Sequence, residues 1–284
     1  MITVTGATGQ VGSALVARLL ELGADVRAVV QPGVEVPWSR AEGLQVVVAD
    51  FGDLAEMRGA ARGADAFFLM SPPGEQQVRW QEIQVEAAQD ARVERVVKLS
   101  AFDSSSDTSL TMGRWHWAGE QSLRASGLPH AILRPQYFME NLLHRVDQLR
   151  AGVLSTFIPP DRPVGMVGAA DVADVAAALL TSVDPAGQVV VPTGPAAITT
   201  ADVANALSVV FDVPVRPDYV DGEQALALLR GLGRPDWHAR DTVLICQEAS
   251  PLVTTDVADL AGHPARDIKT VVKGRFGSAA GQLG

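Results

Sequence analysis

The chain has one cysteine, Cys246, in 284 residues, so it holds no intrachain disulfide and suits a reducing compartment. Cys246 ends the apolar run Thr242-Val243-Leu244-Ile245-Cys246, which favours a buried, inert thiol. No stretch approaches the roughly 20 apolar residues of a membrane span. The first residues lack the basic region and hydrophobic stretch of a signal peptide. A cytoplasmic protein with no membrane association is expected. Positive charge is also short: 23 Lys and Arg stand against 33 Asp and Glu, a net charge of −10. That balance argues against a nucleic-acid partner, which needs a basic face. The five histidines, at 116, 130, 144, 238 and 263, show no ligand spacing on one helix face, so no metal site is expected. A Gly-x-Ser-x-Gly elbow of the hydrolase kind is missing too.

What is present begins at the first residue. Met1–Thr5 reads as a short buried strand, followed by Gly6-Ala7-Thr8-Gly9-Gln10-Val11-Gly12 and the helical run Ser13–Leu22. Strand, Gly-rich turn and helix in that order cradle a phosphate, because backbone N–H groups can approach an anion at the positive end of a helix. The spacing is G-x-x-G-x-x-G, and no Lys follows Gly12, so a nucleoside-triphosphate P-loop is excluded. A dinucleotide site is the expectation; a plain strand–turn–helix is the alternative.

Strand-like runs recur at Val26–Val30, Gln45–Ala49, Ala66–Met70, Arg95–Ser100 and Ala131–Leu133. Helix-like runs lie at Leu54–Arg62, Glu75–Ala91, Trp115–Ser126 and Tyr137–Arg150. The alternation predicts an α/β fold: a Rossmann-like, doubly wound parallel sheet with strands buried on both faces, and a smaller, mostly helical C-terminal part. Residues 1–155 are assigned to the dinucleotide-binding domain, with 171–191 returning to its sheet as a further option. Residues 156–273 form the smaller part that covers the substrate, and the Gly-rich 274–284 a mobile tail. Asp171 is the expected N-cap of a helix over Asp171–Val183.

Ligands of such sheets sit outside the carboxyl ends of the strands. Asp25 has the spacing of a ribose-binding acid but precedes its strand. The second strand ends at Gln31, which is neither acid nor cation; Arg27 or Arg40 would have to supply charge for a 2′-phosphate, and a solvated role suits each as well. Asp50 is placed to accept from an adenine amino group, or else to form a turn with Gly52 and Asp53. Met70, Ser71 and Ser100 end the next two strands and should flank the nicotinamide half. Tyr137 is a candidate proton donor or a packed ring. His116 is a candidate proton shuttle or a structural hydrogen-bonder. Glu120 reads as structural. Phe102 and the loop 103–107 border the substrate or form a polar surface loop. Trp38, Trp80, Trp115, Trp117 and Trp237 are scattered, and Trp115 and Trp117 face different sides of one helix.

The ordered set Thr5–Gly12, His116 with Glu120, Ser126-Gly127-Leu128, Leu133-Arg134-Pro135, Phe138-Met139-Glu140-Asn141, Asp171–Ala176 and Gly262-His263-Pro264 resembles the NmrA-like branch of the atypical short-chain dehydrogenases. The NAD(P)H:quinone oxidoreductases of that branch are the nearest type. The resemblance implies a cofactor, NADP(H) ahead of NAD(H), held by the Gly loop (Gly6, Thr8, Gly9, Gln10, Val11). Gln31, Asp50, Phe51, Met70, Ser71, Gln121 and the segment Tyr137, Phe138, Asn141 complete that expected set. It implies hydride transfer to a quinone-like or other conjugated, aromatic small molecule, with Tyr137, Ser100 and His116 as catalytic candidates, and a homodimer as one assembly. Two departures stand out. Gln31 replaces a frequent Arg, and Trp117 and Gln121 occupy the positions of the Tyr-x-x-x-Lys pair. A redox sensor with little turnover and a specialised biosynthetic reductase are the competing functions.

Overall fold

A computed structural model describes residues 1–36, 41–181 and 187–277. The chain opens with β1 (Ile2–Val4), α1 (Gln10–Glu21), β2 (Val26–Val30), β3 (Leu44–Val48), α2 (Leu54–Ala61), β4 (Ala66–Leu69), α3 (Gln77–Ala91), β5 (Arg95–Leu99), α4 (Thr111–Ala125) and β6 (His130–Leu133). A 3-10 turn (Met139–Leu142), α5 (Val146–Arg150) and β7 (Val153–Thr156) come next. They are followed by α6 (Ala169–Thr181), β8 (Val189–Val190), α7 (Thr200–Phe211), β9 (Arg216–Tyr219), α8 (Gly222–Gly231), α9 (Asp236–Gln247), α10 (Asp256–Ala261) and α11 (Ile268–Phe276). None of the described helices is long and apolar enough to cross a membrane.

The described residues form two compact units. The first comprises Met1–Pro135, Ala169–Val191 and Asp259–Ala261. Its sheet has seven strands in the order β3-β2-β1-β4-β5-β6-β8, all parallel. The order reverses between β1 and β4, which makes the carboxyl ends of those two strands the switch point where such sheets bind ligands. Right-handed crossovers put α1 and α6 together over one face and α2, α3 and α4 side by side over the other. Phe67, Leu69, Ile83, Val96 and Leu123 are buried in the core of the second face. Gly23, Gly63 and Gly127 adopt φ of 74°, 71° and 72° just past helix ends, the left-handed stop that Gly supplies without strain.

The second unit comprises Gln136–Gly168, Pro192–Ala258 and the residues from Gly262 onward. It has its own core, including Met139, Leu154, Met166, Leu207, Cys246, Val272 and Phe276. Residues 136–155 therefore group with the later chain, and 169–191 with the parallel sheet, as β8 pairs with β6.

Several local expectations need correction. β3 is an edge strand, with Val46 and Val48 40% and 61% exposed, so it is not buried on both faces. The helix expected over Tyr137–Arg150 is a 3-10 turn and a short α5, separated at 143–145. α6 starts at Ala169, so Asp171 lies inside its first turn and not at the cap. Val153–Thr156 and Arg216–Tyr219 pair as a two-stranded parallel sheet that the sequence pattern hid, since four residues containing Pro217 carry no strand signature. Gly274 and Gly277 do not belong to a loose tail: α11 runs to Phe276, whose ring packs on Phe211 at 5.0 Å. Residues 278–284 of that expected tail lie outside the described residues, as do Trp38 and Arg40.

Phe67 on β4 is 0% exposed, at the centre of the α2–α3–α4 face. Phe67→Ala is expected to lower unfolding stability by about 3–5 kcal/mol, read from the denaturant midpoint.

Candidate functional site

The turn after β1 is shaped by close approach. Gly6 takes φ +62°, and a Cβ there would come within 2.9 Å of Met70 Sδ. A Cβ on Gly12 would overlap the Gly6 carbonyl oxygen, so only Gly lets α1 begin directly on the loop. Gly9 is the N-cap of α1, extended, with no side-chain cap and no acidic residue in the first turn. The Gly9 N–H donates to Gly6 O at 3.0 Å, and the Ser13 N–H is the first to reach back to Gly9 O, at 2.9 Å. The N–H groups of Gln10, Val11 and Gly12 precede that first helical bond, so they have no acceptor within the helix. Thr8 and Gln10 are exposed beside them, and Val11 is buried as the anchor of the turn. Uncapped donors at the positive end of a 12-residue helix fit the diphosphate of a dinucleotide.

The strand ends around this turn are locked in place. The Thr5 hydroxyl accepts the Met70 N–H at 2.9 Å, which fixes Met70 over Gly6 and Gly9. Ser71 is buried and accepts from Gln81 Nε2 at 3.2 Å. Gln31 Oε1 accepts the Phe51 N–H at 3.4 Å, tying the end of β2 to the residue after β3. The Phe51 ring is 1% exposed and meets Trp80 edge-on at 6.4 Å, so any ligand contact there falls to the main chain. The Asp50 carboxylate accepts the Gly52 N–H at 2.8 Å and its carbonyl accepts the Asp53 N–H at 3.0 Å, which is the turn alternative. The cap of α2 is Asp53, which accepts from the Ala55 and Glu56 N–H groups. Arg27 does not serve a phosphate: its guanidinium donates to Gln45 and to the Ala60 and Arg62 carbonyls, at 2.8–2.9 Å.

A buried carboxylate organises the ends of β5 and β6. Glu120 on α4 has a side chain 0% exposed. It accepts from Arg134 Nε at 2.9 Å and Arg134 Nη2 at 2.6 Å, from Arg124 Nη1 at 3.0 Å and from the Ser100 hydroxyl at 2.6 Å. Burial alone would raise its pKa. The Arg134 bonds, then the Ser100 bond, then the charges of Arg134 and Lys98 outweigh burial and hold it below the ordinary value. Trp117 stacks against both guanidiniums, 5.5 Å from Arg124 and 5.8 Å from Arg134. The Ser100 proton is thus directed to Glu120 and not outward. Ser104, 3.2 Å from Ser100 Oγ and 2% exposed, pins the loop that follows. Gln121 is exposed on the same helix.

Beside this network lies a side chain that the sequence reading passed over. Lys98, near the end of β5, is 0% exposed. Its Nζ donates to the Leu99 carbonyl at 3.1 Å and lies 3.4 Å from His116 Nδ1. A charge inside a Val/Leu strand is the anomaly that could have exposed it.

Tyr137, Phe138 and Asn141 belong to the second unit. The Tyr137 ring packs against that unit's core, and its hydroxyl takes a weak bond from Cys246 Sγ at 3.9 Å. Burial first, then the neighbouring thiol, pushes the Tyr137 pKa well above its usual value. Cys246 is itself raised by burial to about 11, an inert thiol. Phe138 bridges to Val167, and Asn141 is exposed in the 3-10 turn. A concavity of about 290 Å³ in this unit, lined by Pro159, Asp161, Arg162, Pro163, Ala249 and Pro251, contains none of the sequence-predicted residues.

The sequence profile of the NmrA-like family matches residues 1–240. The chain belongs to the NmrA-like family. Among its relatives is an NAD(P)H azoreductase of Xenophilus azovorans, 30% identical over 98% of this chain and 100% of that protein. A (4-alkanoyl-5-oxo-2,5-dihydrofuran-3-yl)methyl phosphate reductase of Streptomyces griseus is 32% identical over 95% of each. The crystal structure of an NADPH-dependent quinone oxidoreductase of Escherichia coli, complexed with NADPH, superposes with a TM-score of 0.84 at 25% identity, covering 97% of this chain and 100% of that one.

Glu120→Gln leaves Arg134 and Arg124 without their carboxylate and is expected to cost about 3–5 kcal/mol. The sign with pH follows from the depressed pKa: the wild-type contribution is present above the unfolded carboxyl pKa and is lost as pH falls through the folded one. Chemical denaturation at neutral and acid pH should therefore show the two proteins converging toward acid.

Proposed function

We propose that this protein is an NAD(P)H-dependent reductase that delivers hydride to a quinone-like or otherwise conjugated small molecule. The observation that carries the reading is the uncapped first turn of α1, seated on Gly6 by Gly12, in a chain that aligns end to end with a reductase named for NAD(P)H. The relatives' names span an azo bond, a quinone and an unsaturated oxo-dihydrofuran. In all three, hydride addition sends negative charge to a heteroatom through conjugation, so the proton donor need not be a Tyr held by a Lys. This suits a site with Trp117 and Gln121 in place of a Tyr and Lys pair.

In this assignment the N–H groups of Gln10, Val11 and Gly12 hold the diphosphate. Thr8 and Gln10 flank it, and Gln31, Asp50 and Phe51 line the adenosine end, largely through main chain. Met70, Ser71 and Gln121 flank the nicotinamide end. When bound, the dihydronicotinamide supplies the hydride. The protein's part is to fix its orientation through Met70, which Thr5 holds, and to supply a proton. The assignment favours NADPH over NADH, because Gln31 at the end of β2 places no acid against a 2′-phosphate.

Three outcomes test the proposal. Fluorescence titration should show NADPH and NADH binding, with oxidation on adding a quinone or azo acceptor; binding without oxidation of any acceptor contradicts the reading. Gly9→Glu should abolish cofactor binding, since a carboxylate there meets the diphosphate, while leaving the thermal midpoint within a few degrees. Gln31→Arg should raise NADPH affinity relative to NADH about tenfold, as one charge-assisted contact does; an unchanged ratio would place the 2′ position elsewhere.

A further inference from the structure

We propose that Lys98 and His116 form a proton relay, in which His116 gives a proton to the reduced acceptor from Nε2 and Lys98 replaces it at Nδ1. The proposal rests on the reductase reading above.

Lys98 is an expensive residue for its place. It stands opposite Leu69 of β4 and Ile132 of β6, inside the sheet, with no exposed surface. Its stem runs beneath Gly119, where α4 comes so close that a Cβ would lie 3.1 Å from Lys98 Cε and would overlap Gln81 Oε1. That contact shuts water out from the α3 side. The carboxylate in its neighbourhood, Glu120, accepts hydrogen bonds from Arg134, Arg124 and Ser100. Glu120 therefore acts on Lys98 through its field. An apolar side chain of the same length would meet the packing demand without the desolvation penalty, so packing does not account for a Lys.

The groups that set its charge are all in place. Burial pulls the Lys98 ammonium down to about 7, against the attraction of Glu120 and with the repulsion of Arg134 and Arg124. Gln81 from α3 is neutral, and His116 from α4 completes the surroundings. His116 is itself held well below its ordinary pKa, by burial and then by Lys98, so its ring is neutral. A neutral imidazole that accepts an ammonium N–H at Nδ1 carries its own proton on Nε2. His116 is half-buried, whereas Lys98 is sealed behind it. The pair thus joins a proton store to a partly exposed donor.

The step balances. Hydride from the dihydronicotinamide leaves a negative charge on a heteroatom of the conjugated acceptor. The His116 Nε2–H bond breaks as the heteroatom–H bond forms. A Lys98 Nζ–H bond breaks as Nδ1–H forms, leaving a neutral amine and a neutral imidazole. Resetting takes one proton from solvent at Nε2 and returns the Nδ1 proton to Lys98. His116 is the catalytic group of the pair and Lys98 a positioning and supply residue.

The experiment compares wild type, Lys98→Met, His116→Gln and the double variant, with a quinone and an azo dye as acceptors. Wild-type kcat should fall as pH rises through about 7, where the Lys98 proton is lost. Lys98→Met should lose that limb and drop kcat at pH 6 about 100-fold, more for the azo dye, whose reduced nitrogen is the stronger base. KM for NADPH should stay unchanged. His116→Gln should lose the same limb, and the double variant should be no worse than the poorer single one. Nitrogen-15 NMR should find the Nε2–H tautomer of His116 in wild type at pH 6, and its loss in Lys98→Met. A retained limb in either single variant, additive losses, or an Nδ1–H tautomer in wild type would overturn the relay. Should Lys98→Met not fold, His116→Gln and the wild-type tautomer decide. Wild type that turns over no acceptor refutes the reductase reading itself, while the tautomer still decides how the two side chains are coupled.

Discussion

The carboxylate of Glu120 is the constraint on which the upper end of the parallel sheet depends. It is buried, and a buried charge persists only when it is fully paired. Its pairing draws in Ser100 from the end of β5, Arg124 from one turn along α4 and Arg134 from the end of β6. Three successive elements, β5, α4 and β6, are thus held at the edge where a Rossmann-like sheet presents its ligand. The two guanidiniums also support Trp117. The field of the same carboxylate tends to keep Lys98 charged in a place that otherwise strips its proton. In the proposed relay, electrostatics that look structural at Glu120 become chemical at Lys98 and His116.

The turn proposed to hold the diphosphate depends on a different kind of constraint, steric closeness. Gly12 allows α1 to start against the Gly6 carbonyl, and Gly6 allows the turn itself through its positive φ. Both requirements are local, and so they were legible. A glycine pattern after an apolar strand and before a helix states the geometry almost directly. The succession of strands along the chain up to β6 was legible for a similar reason: each βαβ unit announces itself through alternation.

What was not legible depended on partners far along the chain. The parallel pairing of β7 with β9 joins segments about sixty residues apart, one of them Arg216-Pro217-Asp218-Tyr219, which has no apolar pattern. The expected helix over 137–150 breaks in the stretch where Leu143 turns inward to the core while His144 and Arg145 stay exposed. Ser100 was read by its place at a strand end, with no sign that its partner is Glu120, 2.6 Å away. Tyr137 was open between a proton donor and a packed ring, and its ring packs against the core beside Cys246. Lys98 was hidden in plain view: a strand reading of Arg95-Val96-Val97-Lys98-Leu99 treats the lysine as one tolerated polar residue. Only the register against Leu69 and Ile132 shows that it has no route to water.

Hydride transfer from a dinucleotide held on the α1 turn is the centre of this account, and single-turnover kinetics with NADPH deuterated at the transferring carbon test it most directly. Protein loaded with stoichiometric cofactor is mixed with a quinone or azo acceptor, and cofactor loss is followed in one turnover. The account predicts one acceptor reduced per cofactor oxidised, with a primary isotope effect on that step. Cofactor that stays reduced beside every acceptor, or an acceptor reduced with no isotope effect from either face of the nicotinamide, would contradict it.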